Sequence, residues 1–346
     1  MEPIGGGEAT VVRRGLPKFF DIDAACLAEA SCSLGAPGTM ASQATLSQSQ
    51  GAASKLLADS IQQAISANAA ISLTKLQKAN GENVQVSYHL PTGQWVLCSK
   101  NVSILASCAP ELELPQWADR RYRFARQVGA LWFQQLSALE EASCKSLRKT
   151  LASATLIGEM VGGSGAHLVQ YGPDRKLQWF AVVPHEGEEA CWVPSRSHSF
   201  FQKIGLPGVE FGHHMEVYKT VESLLDALSQ MVLTVEKAPL SEAGEGYVLY
   251  ISAQPDTSHL DEANGSRVIH MGKLKTAEYR ALRRMRDKAK QFAKSAGCLL
   301  VEDVLEDFRR EATLLEEDVV ETHANTLGSS VNMNIHELGF IQGGKN

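Results

Sequence analysis

The chain has 346 residues, of which 44% are hydrophobic and 21% charged, so it can bury a substantial core in one large domain, with or without an appendage. Its formal net charge of -6 argues against a wholly basic protein that wraps nucleic acid, and any polyanion contact must come from a local patch. The sequence lacks a long apolar run, an apolar signal segment in residues 1–7 and any Cys-x-x-Cys zinc pair, which predicts an intracellular protein, cytoplasmic or nuclear, without membrane contact.

The N-terminal third is predicted to contain a flexible insert, a helix and a hairpin. Residues 31–54 carry no charged side chain and are dominated by Ala, Ser, Gly and Gln, which leaves little apolar surface to offset chain ordering. We therefore expect a flexible insert there. Apolar residues at helical spacing over 56–65 predict a short helix. Alternating runs at 84–88 and 94–98, joined by a Pro-Thr-Gly turn, predict a hairpin.

The middle of the chain is predicted to be helical and then to form strands. The apolar pattern over 115–150 predicts one long helix or two. Short apolar runs separated by glycine turns predict a strand meander. These runs lie at 155–161, 167–171 and 177–183.

The C-terminal part is predicted to alternate helix and strand and to end in charged helices. Residues 221–235 predict a helix, and 246–252 and 266–275 predict strands. A basic helix over 276–295 then precedes an acidic stretch from Glu302 to Glu321. We interpret the two as solvated helices that pack through complementary charge, although the basic stretch also offers salt-dependent contacts to RNA phosphates.

Lys78 is the residue that points most directly to chemistry. It opens the string Lys-Ala-Asn-Gly at 78–81, after an apolar lead-in and before a strand-like run. A lysine held at a pocket mouth by such a turn can attack phosphorus and carry a nucleotide as a phosphoramidate. Taken alone, the string fits a solvated lysine before a turn better than a nucleophile.

Two carboxylates and a lysine pair give the Lys78 hypothesis its support. Glu159 interrupts an apolar strand, and because an unpaired buried carboxylate is costly, a ribose hydroxyl is a plausible partner. Glu245 stands between two glycines, where it suits a magnesium ion bound through water or is simply a loop carboxylate. Lys273 and Lys275 are two residues apart on a predicted strand, so they share one face and can contact the α-phosphate of ATP.

Two rival sites are weaker. His213 and His214 are adjacent, so on a strand they face opposite ways, and the spacing offers no third metal ligand. The glycine-rich string at 162–165 lacks the Gly-Lys-Ser/Thr ending of a phosphate loop. We expect surface histidines and a strand turn.

Four strings together resemble a known family. They are Lys-Ala-Asn-Gly at 78–81, Lys-Phe-Phe-Asp at 18–21, Glu-Gly-Tyr-Val at 245–248, and Lys-Leu-Lys at 273–275 followed by Tyr279. Taken in chain order, they resemble the covalent nucleotidyltransferase superfamily and, within it, the ATP-dependent RNA ligases of the phage RNA ligase 1 and tRNA ligase type. The sequence departs from the family at Asn80, where aspartate is commoner, at Glu82, and in its long insert.

The resemblance implies an α+β fold of the nucleotidyltransferase (ligase and capping-enzyme) type, with antiparallel sheets around an ATP pocket and a small helical C-terminal part. The adenylyltransferase domain would span 1–290 with the insert 31–54, and a short helical segment would span 291–346. Lys78, Lys273 and Lys275 would be catalytic, and Glu245 would hold the metal. The nucleotide-binding residues would be Lys18, Gln77, Asn80, Gly81, Lys100, Glu159, Phe180 and Tyr279. Trp179 is the alternative to Phe180 for stacking on adenine, and core packing competes for both.

The implied function is ATP-dependent joining of an RNA 5'-phosphate to a 3'-hydroxyl through lysyl-AMP, in RNA repair or tRNA splicing. ATP and Mg2+ are the implied cofactors. RNA ends are the implied partners, with separate kinase or phosphoesterase proteins that heal them. A catalytically silent RNA-end-binding or scaffold protein remains an alternative, as does a DNA ligase or capping-type guanylyltransferase. The DNA ligase or capping-type enzyme is disfavoured because the remaining C-terminal segment is predicted to be helical rather than an oligonucleotide-binding barrel.

Overall fold

A computed structural model describes residues 11–35, 48–163, 167–211, 216–254 and 265–295. The centre of the predicted insert, the two adjacent histidines, Ser164 and Gly165, and the acidic stretch lie outside these residues. No helix in the described ranges is long and apolar enough to cross a membrane.

Two five-stranded sheets form the framework. The first has the order β1-β10-β9-β2-β8 and the second the order β5-β4-β3-β6-β7. All neighbouring strands are antiparallel except β1, which runs parallel to β10. The strands are β1 Phe20–Asp21, β2 Ala70–Gln77, β3 Glu82–His89, β4 Gln94–Cys98, β5 Ser103–Ala106, β6 Ala154–Val161, β7 Lys176–Pro184, β8 Glu216–Tyr218, β9 Gly246–Gln254 and β10 Arg267–Lys275.

Helices cover the outer faces of both sheets. Three short 3-10 helices lie between 109 and 122, at Ala109–Glu113, Pro115–Trp117 and Arg120–Tyr122. The α-helices are α1 Ala24–Ser33, α2 Gln48–Ser66, α3 Arg123–Ser137, α4 Glu141–Leu151, α5 Pro194–Ile204, α6 Val221–Lys237, α7 Leu240–Ala243 and α8 Ala277–Ser295.

Three hydrophobic cores result from the alternation of side chains along the strands. The first outer core joins the first sheet to α1, α2 and α6. The second outer core joins the second sheet to α3, α4 and α5 and contains Trp132 and Trp179. The inter-sheet core lies between the two sheets, with Leu76 and Met271 from the first and Ile157 and Val183 from the second. Residues 78–81 link β2 of the first sheet to β3 of the second, beside the inter-sheet core.

Most predicted elements are confirmed. The hairpin is formed by β3 and β4, the short helix lies within α2, and the helix over 221–235 lies within α6. The two predicted C-terminal strands correspond to β9 and β10, and two of the three meander strands to β6 and β7. The pattern over 115–150 forms two helices, which begin only at Arg123 because the segment before them is built of 3-10 turns that start at prolines or a capping aspartate.

One structural prediction is wrong, and a second fails at the ends that the structure describes. Residues 167–171 form no strand; Val169 and Tyr171 instead hydrogen-bond to Asn80, so this loop is tied to the Lys78 turn rather than to a ladder. The insert 31–54 is also helical at both described ends. Ala53 and Ser54 are buried in α2, because small side chains allow α1 and α2 to pack closely despite their weakly apolar composition.

Candidate active site

Lys78 occupies the junction between the two sheets. Its backbone N–H donates to the carbonyl of Gly246 over 2.8 Å, which ties the end of β2 to the start of β9. Its side chain is 18% exposed, and its Nζ lies 2.9 Å from Oε2 of Glu245. The amine is therefore held in a partly enclosed position against a carboxylate, and not in open solvent.

Glu245 is the centre of a buried hydrogen-bond network. The residue is 3% exposed, and its Oε2 also accepts from Nδ2 of Asn80 over 2.8 Å. The same Nδ2 lies 2.9 Å from the hydroxyl of Tyr279. Burial and the charge of Glu245 raise the pKa of Tyr279 to about 12, so the phenol stays protonated. Asn80 and Tyr279, far apart in sequence, thus fix the carboxylate that faces Lys78.

Asn80 also anchors the loop that follows β6. Its backbone N–H donates to the hydroxyl of Tyr171 over 3.0 Å, and its Oδ1 accepts from the N–H of Val169 over 3.3 Å. Every polar group of the Asn80 side chain is therefore engaged. Tyr171 and Val169 were missed by the sequence analysis, since nothing in their local pattern indicates a contact with residue 80.

Glycines allow the backbone to pass close to neighbouring strands at this point. A Cβ on Gly81 would lie 2.3 Å from the carbonyl oxygen of Met160, so only glycine fits beside β6. Gly246 has a φ of +124°, and a Cβ there would lie 2.1 Å from the carbonyl oxygen of Leu274. Both glycines bring strand ends together and so position Lys78 and Glu245.

Glu159 enters the site from the second sheet. It lies on β6, paired with Asn83 and Gln178, and its Oε2 is buried without a hydrogen-bond partner among the described residues. Burial raises the pKa of Glu159 to about 7, against the lowering effect of Lys78 and with a further raising effect of Glu245. An unpartnered buried oxygen of this kind fits a hydroxyl donor from a ligand.

Lys273 and Lys275 project from the same face of β10, as predicted. Lys275 Nζ pairs with Oδ2 of Asp21 over 3.0 Å, and Lys273 Nζ lies 4.8 Å from the ring centre of Phe19. Burial lowers the pKa of Lys273, and the charges of Lys275 and Lys78 lower it further. The lysine pair and Lys78 therefore influence one another, and the structure adds two residues the sequence analysis did not assign, Asp21 and Phe19.

The short strand β1 explains why Lys18 lies elsewhere. Lys18 Nζ stacks over the ring of Phe20 at 5.0 Å, and Phe20 packs on the first outer core. Phe19 points the opposite way, towards the inter-sheet core. The structure therefore does not bring Lys18 to the Lys78 site. Lys100 is exposed in the turn after β4, and within the described ranges no contact joins it to this site.

The two candidate aromatics have different surroundings. Trp179 is fully buried in the second outer core, where its Nε1 donates to Gln135 over 3.0 Å. Phe180 packs on the inter-sheet core, and both rings line a small apolar pocket with Leu76 and Phe211. Gln77 ends β2 opposite Tyr247 and directly precedes Lys78 in the chain. Of the two rings, Phe180 is the one placed on the site's side of the sheet.

The described side chains of the site offer few ligands for a metal ion. Among the described residues no group of three or more His, Cys, Asp or Glu side chains is arranged to hold a metal ion. Magnesium, however, is commonly bound by one or two carboxylates together with substrate phosphates. Glu245 fits that requirement, although its Oε2 is paired with Lys78 in this structure.

Fold and site together define the class: an α+β protein whose antiparallel sheets hold a lysine-centred cluster of charged side chains. The model of the RNA ligase family matches residues 75–262, more than half of the chain. The chain belongs to the RNA ligase family. This confirms the resemblance drawn from the four sequence strings, and the structure confirms the predicted α+β architecture.

Solved RNA ligases show a distant likeness. An archaeal ATP-dependent RNA ligase is 16% identical, with a TM-score of 0.41, over 79% of this chain and 60% of its own. A Naegleria gruberi RNA ligase solved with PPi is 13% identical, with a TM-score of 0.40, over 66% of this chain and 56% of its own. A variant of that ligase with ATP and Mn is 13% identical, with a TM-score of 0.40, over 65% and 55%. The chain thus spans 60% or less of these ligases, and no curated protein matches it.

Proposed function

We propose that this protein is an ATP-dependent RNA ligase that joins RNA 5'-phosphate and 3'-hydroxyl ends through a lysyl-AMP on Lys78. The observation that carries the proposal is the position of the Lys78 amine, 2.9 Å from Glu245 in a largely buried network. Glu159 and the lysine pair 273/275 influence the same site electrostatically. A structural lysine would not require this convergence of charged residues from both sheets.

The first step is attack by Nζ of Lys78 on the α-phosphorus of ATP. The N–P bond forms as the P–O bond to pyrophosphate breaks, and the carboxylate of Glu245 is placed to take the proton that the amine gives up. Lys273 and Lys275 stabilise the charge that grows on the phosphate oxygens. Glu245 would also hold Mg2+, which neutralises phosphate charge when bound.

The next two steps transfer AMP and then release it. In the second step an oxygen of the RNA 5'-phosphate attacks the adenylate phosphorus, so the N–P bond to Lys78 breaks and a 5'-to-5' pyrophosphate link forms. In the third step the RNA 3'-hydroxyl attacks the 5'-phosphate, and AMP leaves. For the nucleotide itself, Glu159 Oε2 is the acceptor for a ribose hydroxyl, and the ring of Phe180 is the surface on which adenine would stack.

Covalent labelling tests the proposal. The full chain is incubated with ATP and magnesium, and intact-mass spectrometry is expected to show one added AMP, which maps to Lys78 by peptide analysis. Lys78→Ala should remove the adduct. Lys75→Ala is the matched control, because Lys75 lies on the same strand and stacks over Tyr247, and it should leave the adduct unchanged.

The outcomes separate the alternatives. Absence of an adduct on the wild-type chain would support a catalytically silent RNA-end-binding or scaffold protein. An adduct from GTP rather than ATP would identify a capping-type guanylyltransferase. Sealing of nicked DNA in preference to RNA would identify a DNA ligase.

The partner proposal has a separate test. We assign RNA ends as the substrate, in RNA repair or tRNA splicing inside the cell, with separate kinase or phosphoesterase proteins that heal the ends. The purified chain should therefore circularise a 5'-phosphorylated RNA with a 3'-hydroxyl and leave a 5'-hydroxyl RNA unjoined. Joining of the 5'-hydroxyl RNA without added kinase would contradict the need for a healing partner.

A further inference from the structure

An exposed surface of arginines and aromatic rings precedes and opens α3, apart from the Lys78 site. We call it the arginine–aromatic surface and define it by Trp117, Arg120, Arg121, Tyr122, Arg123 and Phe124. All three arginines are exposed, and Phe124 is 37% exposed. In the parts of the chain that the structure describes, none of these arginines forms an ion pair, whereas nearby Arg126 pairs with Glu113.

The rings and guanidinium groups of this surface are already stacked on one another. The guanidinium of Arg121 lies 4.6 Å from the ring centre of Tyr122, and that of Arg123 lies 5.4 Å from the ring centre of Phe124. Trp117 meets Tyr122 edge to face at 5.2 Å. Such stacking limits the rotamers of the long arginine side chains, so less conformational entropy is lost when they bind a ligand.

The chemistry of the surface matches single-stranded nucleic acid. Guanidinium groups bind phosphates through paired hydrogen bonds, and an exposed ring provides a platform for an unstacked base. The chain as a whole carries a net charge of -6, so three unpaired arginines beside one another form a local exception to the overall charge. A duplex would leave the rings unused because its bases are already stacked.

Contacts connect this surface with the Lys78 site. Gln127, one turn after Arg123 on α3, accepts a hydrogen bond from Nη1 of Arg175 over 2.6 Å. Arg175 packs against Gly163, whose N–H donates to the carbonyl of Gly172. Next to Gly172, Tyr171 bonds to Asn80. A series of contacts therefore runs from α3, one turn beyond the surface, to the segment that bonds to Asn80.

We propose that the arginine–aromatic surface binds the single-stranded RNA segment next to the end that is sealed, a proposal that rests on the RNA ligase function proposed above. Arg120, Arg121 and Arg123 contact phosphates, and Phe124 stacks on a base. Arg175, which bonds to Gln127 of α3 and packs against Gly163, adds a further phosphate contact. These are contacts for holding the strand rather than for catalysis.

Binding of a short, 5'-phosphorylated, fluorescein-labelled RNA, measured by anisotropy across a salt series, tests the proposal. The triple variant Arg120→Ala/Arg121→Ala/Arg123→Ala should weaken binding of single-stranded RNA at least about tenfold. Because about 0.7 counterions are released per phosphate contact, the slope of log affinity against log salt concentration should fall by about 2. Phe124→Leu keeps an apolar side chain but removes the ring. It should weaken single-stranded RNA several-fold and leave duplex RNA unchanged.

The matched control removes the same number of charges from a neighbouring helix. Lys145→Ala/Arg148→Ala/Lys149→Ala changes three exposed cations of α4 and should alter affinity less than twofold. Thermal unfolding checks that each variant is folded. Single-stranded RNA affinity of the Arg120/Arg121/Arg123 variant within twofold of wild type would overturn the proposal, and is the result expected if this surface instead binds an acidic protein.

Adenylation distinguishes this proposal from the RNA ligase proposal. Formation of lysyl-AMP from ATP needs no RNA, so both triple variants should form the adduct at the wild-type rate. Suppose the wild-type chain forms no adduct, but replacing the three arginines weakens RNA binding. The ligase function then fails and the RNA surface stands. If the adduct forms and RNA affinity is unaffected, the surface proposal fails and the ligase function stands.

Discussion

Asn80 shows what a single amide contributes beside a buried carboxylate. Its Nδ2 donates to Glu245 and lies within hydrogen-bond distance of Tyr279, whereas an aspartate there would offer only acceptors. The sequence departs here from the commoner aspartate, and its local pattern offers no reason for the change. The structure supplies one, since Glu245 already provides the negative charge that faces Lys78.

Asn80→Asp is therefore expected to destabilise the protein. A second carboxylate next to Glu245 raises the pKa of both carboxyl groups through mutual repulsion. The substitution should lower the free energy of unfolding by roughly 2 kcal/mol at about pH 8. Because protonation removes the repulsion, the loss should shrink at about pH 5. Urea unfolding at the two pH values measures this. Asn101→Asp, at an exposed turn position, adds the same charge and should be neutral; equal effects of the two variants would contradict the argument.

Glu159 is expected to limit stability at neutral and higher pH. Its folded-state pKa of about 7 exceeds the value of about 4.3 in an unfolded chain, so the folded state binds more protons between these values. Stability contributed by the protonated carboxyl is thus lost as pH rises through this window. Glu159→Gln should raise the free energy of unfolding by roughly 2 kcal/mol at about pH 8, and by little at about pH 4.

Denaturant unfolding across the pH range measures the Glu159 effect. Glu188→Gln removes an exposed carboxylate and should shift the curve by less than about 0.5 kcal/mol. A Glu159→Gln variant whose stability follows the wild-type pH dependence would show that the carboxyl is ionised normally. The same variant should bind ATP more weakly, because the acceptor for the ribose hydroxyl becomes a weaker one.

At the scale of elements, the turn into β9 depends on Gly246. Its φ of +124° and the 2.1 Å approach of a Cβ to the carbonyl oxygen of Leu274 leave no room for a side chain, so β9 and β10 would have to separate. Gly246→Ala should cost at least about 3 kcal/mol. Gly172 has a φ of +89° with no atom within 4 Å of its Cβ position, so Gly172→Ala should cost only about 1 kcal/mol. Thermal or urea unfolding of the pair isolates the steric contribution, and similar losses would refute it.

The elements that the sequence predicted correctly are those with a local pattern. The β3–β4 hairpin follows from alternation around a Pro-Thr-Gly turn, and α6 follows from its apolar spacing. The loop at 167–171 was wrongly predicted as a strand, because the Val169 N–H and the Tyr171 hydroxyl bond to Asn80, which lies far earlier in the sequence. The two-residue strand β1 was not predicted either, since it forms only by pairing with β10.

The same distinction applies to the candidate site. Lys78, Glu245, Lys273 and Tyr279 were proposed because short strings resemble a family, and the structure brings all four together. Lys18 was proposed on the same grounds, but its Nζ stacks over the ring of Phe20, which packs on the first outer core. The direction in which residues 18–21 face depends on the pairing of β1 with β10, so the sequence alone did not favour Phe19 and Asp21 over Lys18.

At the scale of the whole molecule, the site depends on the relative position of two sheets. Lys78, Glu245 and Lys273 come from the ends of β2, β9 and β10, whereas Glu159 and Phe180 come from β6 and β7. The inter-sheet core fixes their separation, with Leu76 and Met271 packed against residues of the second sheet. A ligand in this site would therefore contact both layers at once.

ATP is accordingly expected to stabilise both sheets together. A ligand at a hundred times its Kd adds about 2.7 kcal/mol to the folded state, and hydrogen exchange reports which amides share that gain. With Lys78→Ala, which keeps the nucleotide non-covalent, ATP and magnesium should slow exchange in β2 and β9 of the first sheet and in β6 and β7 of the second. GTP is the control for the base and should protect less. Protection confined to the first sheet would show that Glu159 and Phe180 do not touch the nucleotide, and would restrict the binding site to the edge that carries the lysines.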